Sequence, residues 1–433
     1  MDETGKPPRV IGLTGAILIN LNGAVGAGIF ALPALLYAGA GSFAPYSILI
    51  FALFYACLIA IPAKLSTLFD QSGGPQLYAQ HAFGNWTGFQ LGWFHMCANM
   101  SSRAANLHVL AAYLAAIFPF FGGPVAKPVL LVTLVLFYLA IALVGMKQSI
   151  GALWIGSVLK LSPILILCAV GLTMNGIPTS VSLPEFSEFE AVALLIAYAF
   201  SGAGTAAITA GETKEPQRII FRSIFTGLAV VAVFYALVML SYIAIQPDTA
   251  EVDSPLAAAG AAVFGELGIL IISVTAIFSV GTNLLNGFLI YPRIFYGMGC
   301  RGLLPRPFAY VSRRFETPWV AILVYCGIVA GLALSGTFVF LAMLTVAVEQ
   351  IILLVITAAL VLIWRRNDGG IADRMGWRWA FIIPVGVIMM LWLTAQASLE
   401  SLLSTFGLLA IGMVLYLLSS KSAHEGEDIR IVS

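Results

Sequence analysis

The hydrophobic residues of this chain fall in long, nearly unbroken runs, with the charged residues gathered in the short stretches between them. Twelve runs stand out, over residues 10–39, 43–68, 86–119, 126–146, 149–173, 189–211, 219–246, 263–298, 318–336, 338–364, 379–397 and 400–419. Each has about the 20 residues that a helix needs to cross the hydrocarbon core of a bilayer. The pattern predicts an all-α polytopic membrane protein with 12 transmembrane helices. Runs 318–364 and 379–419 each hold two spans joined by almost nothing. After the second span, Ser72-Gly73-Gly74-Pro75-Gln76-Leu77-Tyr78 predicts a turn and then a short inner-face segment to about Gly84.

Two of the spans are interrupted. The first contains Asn22-Gly23-Ala24-Val25-Gly26-Ala27-Gly28-Ile29-Phe30, with three glycines in six residues. Each costs about 1 kcal/mol relative to Ala in a helix interior. A break at mid-membrane is expected only where the freed backbone faces protein or a cavity. There it offers bare N–H groups at one half-helix end and bare C=O groups at the other, which can hold a carboxylate and an ammonium. The competing reading is that these glycines only permit close helix packing. The sixth span reads Ala197-Tyr198-Ala199-Phe200-Ser201-Gly202-Ala203-Gly204-Thr205 and is broken in the same way. The first break lies 13–18 residues into a span running one way, and the second 12–15 residues into a span running the other. Two such breaks at matching positions in oppositely oriented halves point to an inverted-repeat transporter with a site at the midplane. The implied organisation is an N-terminal segment 1–9, repeats over 10–173 and 189–364, two extra helices over 379–419 and a tail over 420–433.

Composition agrees with this class: 60% of the 433 residues are hydrophobic and 9% are charged. The first run is too long for a signal peptide, and no small-residue cleavage site follows a short core, so the mature chain is expected to begin at or near Met1. With the N-terminus in the cytoplasm, 18 of the 21 basic residues fall on the inner side, among them Lys6, Arg9, Lys64, Lys147, Lys214, Arg218, Arg301, Arg313, Arg314, Arg374 and Lys421. Lys127 alone falls outside, where the loops carry acids such as Glu185, Asp248, Glu251 and Asp253. Both termini are therefore expected in the cytoplasm, with the tail disordered. None of the five cysteines lies in an outer loop, which argues against a structural disulfide. No metal-ligand spacing and no P-loop pattern appears. No nucleophile or cofactor constellation stands out either, so an enzyme, a cofactor and a nucleic-acid partner are not expected.

Three charged residues fall deep inside spans. Lys160 lies about 11 residues from the inner end of the fifth span, about 16 Å deep, beyond the reach of an ordinary snorkelling lysine. A group so placed is a functional candidate, able to act as a fixed cation or to exchange a proton. Arg103 and Glu349 lie near the centres of the third and tenth spans. Either charge alone is expensive in lipid, and the economical expectation is that they face the pathway and pair, as a gate, a reader of the substrate side chain or a structural tie.

At these residues the chain resembles the amino acid–polyamine–organocation transporters, which have the LeuT-like five-plus-five inverted-repeat fold. Gly26-Ala27-Gly28-Ile29-Phe30 is similar to the family's helix 1 motif, and Ser72-Gly73-Gly74-Pro75 with Tyr78 to its loop after helix 2. Ala210-Gly211-Glu212 with Lys214, Pro216 and Arg218 resembles its signature after helix 6, and Arg301-Gly302-Leu303-Leu304-Pro305 its helix 8 ending. The matches run in order over most of the first ten helices and do not fix the substrate. The chain departs from the family at Gly204, where many members place an acidic residue, so a proton-sensing carboxylate there is absent. It also lacks the outer-loop cysteine of members that pair with a glycoprotein, so no disulfide-linked partner is expected.

The resemblance implies a substrate site. The α-carboxylate would sit on N–H groups around Gly26, Ala27 and Gly28. The α-ammonium would take carbonyls near Ala24 and, at the Gly202 break, near Tyr198 and Ser201. Tyr198 and Phe200 would supply wall or gate surface, against ordinary bundle packing, and Asn99 aligns with a pocket position, against a helix–helix hydrogen bond. Lys160 would stand where relatives bind sodium, bonding carbonyls of helices 1 and 8. The function so implied is sodium-independent secondary transport of amino acids, by proton-coupled symport or exchange, in a bacterial inner membrane. Transport of a polyamine or other organic cation and a non-transporting nutrient sensor are the alternatives.

Overall fold

A computed structural model describes residues 11–69, 74–144, 150–179, 181–204, 213–247, 253–300, 303–312, 315, 317–367 and 375–418. Ser72 and Gly73, Ala210-Gly211-Glu212, Arg301 and Gly302, both terminal segments, and Lys147, Asp248, Glu251, Arg313, Arg314 and Arg374 lie outside the described residues.

The first run forms two helices, α1 (Leu13–Ala24) and α2 (Gly28–Ala40), separated at Val25-Gly26-Ala27 where the glycines stand. The next four spans are α3 (Ala44–Ser66), α5 (Asn85–Ile117), α6 (Ala126–Val144) and α7 (Ile150–Asn175). Between α3 and α5 lies the expected short segment, α4 (Pro75–Phe83). Glycines in positive φ bracket α4, Gly74 at 54° and Gly84 at 90°, a conformation that costs L-residues with a Cβ. Its Tyr78 is buried against Phe69, with ring centroids 5.2 Å apart.

The sixth span gives α8 (Phe186–Phe200), opened by a capping box of Glu185 and Glu188 that satisfies two orphan N–H groups. It stops at Ser201, where the second glycine cluster begins. Then come α9 (Pro216–Ile245), α10 (Pro255–Phe264), α11 (Glu266–Ile290) and α12 (Pro292–Cys300). The last four are α13 (Trp319–Ser335), α14 (Phe338–Arg366), α15 (Trp379–Ala395) and α16 (Leu399–Leu418). The pattern did not foretell α10. This short apolar helix lies on α11, so close that a Cβ on Gly260 would come within 2.7 Å of the Gly268 carbonyl oxygen. The eighth run is split by Pro292, which ends α11 and starts α12.

By length and composition, seven helical stretches among the described residues can cross a membrane, with four shorter apolar helices beside them. The 33-residue α5 is in neither group. It is long enough, but His95, Asn99, Arg103, Asn106 and His108 lower its apolarity. That helix is central nonetheless, packing against α4, α11, α13 and α14. The segment before α1 meets the segment before α9 through an isolated bridge between Ile11 and Thr213, with the Lys214 N–H donating to the Ile11 carbonyl at 2.9 Å. Ile11, just before α1, and Lys214, just before α9, therefore lie on one face of the bundle.

Candidate functional site

The two helix breaks are in backbone contact. Gly202 has φ of +91°, and a Cβ there would lie 2.6 Å from the Gly23 carbonyl oxygen. Both features admit only glycine. The other break glycines differ in purpose. Gly28 lies against α8, its Cβ position 3.2 Å from the Ala199 Cα, so it serves helix packing as well as exposing its own N–H. Beside Gly204 nothing among the described residues lies within 4 Å of a Cβ.

Three carbonyls at the first break are bound by side-chain donors from three other helices. Asn22 accepts from Asn283 Nδ2 of α11 at 3.2 Å. Ala24 accepts from the Tyr235 hydroxyl of α9 at 2.8 Å and from the Gly26 N–H at 2.8 Å. Val25 accepts from Lys160 Nζ of α7 at 3.0 Å. Asn22 is itself fixed by Ser157 of α7, its Nδ2 donating to the hydroxyl at 2.8 Å. This corrects one expectation. The Ala24 carbonyl has two lone pairs, and both are engaged by the protein, so it is not a vacant acceptor for an ammonium. On the other break the Tyr198 carbonyl takes the Ser201 N–H at 3.1 Å.

Lys160 is 2% exposed, buried within the protein. Its bond to helix 1 is present, whereas a bond to α11 is not among its contacts in the described residues. The lysine is directed at the break itself and braces α7 against the α1–α2 junction.

Between Gly88 and Ala111 of α5, five residues escape burial: His95, Asn99, Ser102, Arg103 and His108. His95, Asn99 and Arg103 recur at every fourth residue and share one face. A polar stripe that stays accessible on an otherwise buried helix lines an internal space. The Arg103 side chain lies along α11. Its Nη1 donates to the Asn283 carbonyl at 2.8 Å and to Asn283 Oδ1, its stem crosses Gly287, and Tyr291 faces its guanidinium at 5.7 Å. Gly287 lets the Arg103 side chain lie close, since a Cβ there would come within 2.6 Å of Arg103 Cδ and the arginine would have to shift. Asn283, Gly287 and Tyr291, each four residues on, form the groove.

The expected pair of Arg103 with Glu349 is not made. Arg103 is held by Asn283 and, through Nε, by Asn99 Oδ1 at 3.4 Å. Half-buried Glu349 accepts the Ser201 hydroxyl at 2.7 Å, which ties α14 to the second break. Amide oxygens accept from Arg103 and a hydroxyl donates to Glu349, so each has a partner other than the opposite charge in this conformation. Asn99 also accepts from Tyr325 of α13 at 3.4 Å, the helix–helix contact that competed with a pocket role.

Tyr198 and Phe200 part company because residues two apart on a helix face nearly opposite ways. The Tyr198 hydroxyl reaches Asn106 Oδ1 at 3.0 Å and its ring meets Phe338 edge-on. Phe200 is fully buried among Phe51, Tyr55 and Tyr235, as core packing with no wall surface to offer. Sequence reasoning did not select Asn283, Asn106, Tyr235 or Ser157. The one signal available was that an Asn in the middle of an apolar span demands a partner.

An all-helical bundle with apolar helices of membrane-spanning length and a polar interior is an integral membrane protein that handles a polar solute. A family model described as amino acid permease matches residues 11–417, and the chain belongs to that family. It is 25% identical over 324 residues to the serine/threonine exchanger SteT of Bacillus subtilis, covering 72% of this chain and 74% of that protein. An uncharacterized transporter of Mycobacterium tuberculosis is 27% identical over 338 residues, covering 76% and 74%. The D-serine/D-alanine/glycine transporter of Escherichia coli K12 is 26% identical over 318 residues, covering 69% and 66%. The family and these relatives are transporters, not enzymes, and the two relatives whose solutes are named carry amino acids.

Proposed function

We propose that this protein is a secondary active transporter that moves amino acids by alternating access, without sodium, in proton-coupled symport or exchange. The observation that carries this reading is the pairing of a helix break with a buried ammonium: Lys160 donates to the Val25 carbonyl at 3.0 Å. A cation fixed there leaves no electrostatic room for a sodium ion at the same carbonyl. The substrate lies at the touching breaks. Its carboxylate sits beside Gly26, on the N–H groups of Ala27 and Gly28, since the Gly26 N–H is already on the Ala24 carbonyl, and its ammonium faces the second break near Ser201 and Gly202, with the Glu349 carboxylate behind the Ser201 hydroxyl. Serine, threonine, alanine and glycine are the substrates to try first, given the names of the relatives.

The architecture in this reading has twelve spans. The first repeat holds α1–α2, α3, α5, α6 and α7, and the second holds α8, α9, α11, α13 and α14, with α15 and α16 added. The excess of Lys and Arg on one side places both termini in the cytoplasm of a bacterial inner membrane. A polyamine or other organic cation is the second reading, favoured by Glu349 alone and opposed by the filled carbonyls of the first break. A nutrient sensor would bind an amino acid without moving it.

Proteoliposomes decide among these. Uptake of labelled serine or alanine should saturate, should accelerate when unlabelled substrate is trapped inside, and should keep its rate when choline replaces sodium. Binding without flux would make the protein a sensor. Strict sodium dependence would remove Lys160 from the coupling role.

A further inference from the structure

At the first break three carbonyls are taken, and three N–H groups on the α2 side are open among the described residues. The carbonyls of Asn22, Ala24 and Val25 are bound by Asn283, Tyr235 and Lys160. No side chain caps the first turn of α2, and among the described residues the N–H groups of Ala27, Gly28 and Ile29 donate to no protein acceptor. A surface of this kind favours an anionic group.

Asn283 adds to that surface from α11. Its Oδ1 accepts from Arg103 Nη1 and from Asn106 Nδ2, the latter at 3.0 Å. An amide oxygen with two donors on it fixes the orientation of the whole group, so the NH2 end is turned toward the break. One of its N–H bonds goes to the Asn22 carbonyl at 3.2 Å, and the other has no protein partner among the described residues. The nitrogen lies 3.3 Å from the place a Cβ on Gly26 would occupy, so the amide meets the break with nothing between them. Behind it stands the Arg103 guanidinium, bonded to the same residue's carbonyl at 2.8 Å and seated between Gly287 and Tyr291. A cation on an amide oxygen polarises the N–H groups at the other end.

We infer that Asn283 is a substrate-positioning residue: its free N–H donates to the carboxylate of the transported amino acid, and Arg103 behind it selects for that carboxylate by charge. This rests on the reading of the helix breaks as the amino acid site. It adds a reason for a cation on α5, for glycine at 26 and 287, and for discrimination against amines that lack a carboxylate.

The test uses the purified full-length protein and thermal-shift titration with the twenty standard amino acids, D-serine and D-alanine. The tightest binder is then compared with its own carboxamide. Asn283→Asp keeps the shape and the oxygen that Arg103 and Asn106 need, removes the donor, and cancels the charge of Arg103. Its affinity for the amino acid should fall about tenfold or more, as for loss of a hydrogen bond to a charged group, while affinity for the carboxamide falls far less. Arg103→Lys should retain more of the preference for the acid over the carboxamide than Arg103→Gln. These two variants carry the test if Asn283→Asp does not fold. Unchanged affinity in folded Asn283→Asp would overturn the inference, as would equal losses for acid and carboxamide. Equal preferences in the Arg103 pair would do the same. If no amino acid binds the unmodified protein, the reading of function itself fails, an outcome distinct from the others.

Discussion

A side chain on Gly202 would drive into the carbonyl oxygen of Gly23, because the Cβ position and that oxygen are 2.6 Å apart. The two broken helices are thus joined where their backbones are barest, and the contact leaves no room for a methyl group. Two residues further on, nothing among the described residues lies within 4 Å of a Cβ on Gly204.

The two glycines should therefore respond oppositely to the same change. Gly202→Ala suffers both the positive φ, about 1–2 kcal/mol for a residue with a Cβ, and the clash with Gly23. It should lose folded protein or all substrate binding. Gly204→Ala should fold and express as the unmodified chain does. Fluorescence-detected size exclusion in detergent, followed by thermal shift, reads both, and equal tolerance would show that the breaks do not touch.

Tyr235→Phe keeps the ring against Phe200, at a centroid distance of 5.9 Å, and removes only the hydroxyl on Ala24. The Gly26 N–H still occupies that carbonyl, so the expected loss is about 1 kcal/mol of stability. The freed lone pair lies in the break, and the apparent KM should move more than the melting temperature does. Thermal melts beside uptake kinetics compare the two.

Lys160→Ala should nearly abolish net uptake. It leaves the Val25 carbonyl buried without its donor, at about 1–3 kcal/mol. If the lysine's proton is the coupled ion, the residual uptake should also lose its dependence on pH. If the lysine stays charged throughout and the protein is an exchanger, pH dependence should be weak already in the unmodified protein. Uptake rates between pH 5 and 8 distinguish these cases, about the span over which such coupling is read.

Arg103 and Glu349 should behave as separate sites. With Arg103 on Asn283 and Glu349 on Ser201, a double-mutant cycle of Arg103→Gln and Glu349→Gln should give a coupling below about 0.5 kcal/mol in thermal stability. A coupling several times larger would mean that the charges meet in another conformation. Glu349→Gln alone keeps an acceptor for the Ser201 hydroxyl, so a change in its transport would be a charge effect and not a loss of fold.

The amino-acid sequence by itself determined the class of protein, its apolar helical runs, the places where two of the helices break and the presence of a lysine deep within one run. These are one-dimensional properties: the length of an apolar run, three glycines in six residues, and a lysine far from either end of its span. Each is dictated by the bilayer, which acts on every segment alike. Partner choice was decided only in three dimensions. Arg103 settles on Asn283, 180 residues away, and Glu349 on Ser201, 148 residues away, because helix packing places amide oxygens within reach of the one and a hydroxyl within reach of the other. Tyr198 and Phe200 look alike in a string of letters, yet the turn of α8 sends one to Asn106 and the other into the core. Tyr235 and Asn283 reach the first break from α9 and α11, and no spacing in the chain connects them to it. A buried polar group must find a partner, but which one it finds depends on the rotation and depth of every helix around it.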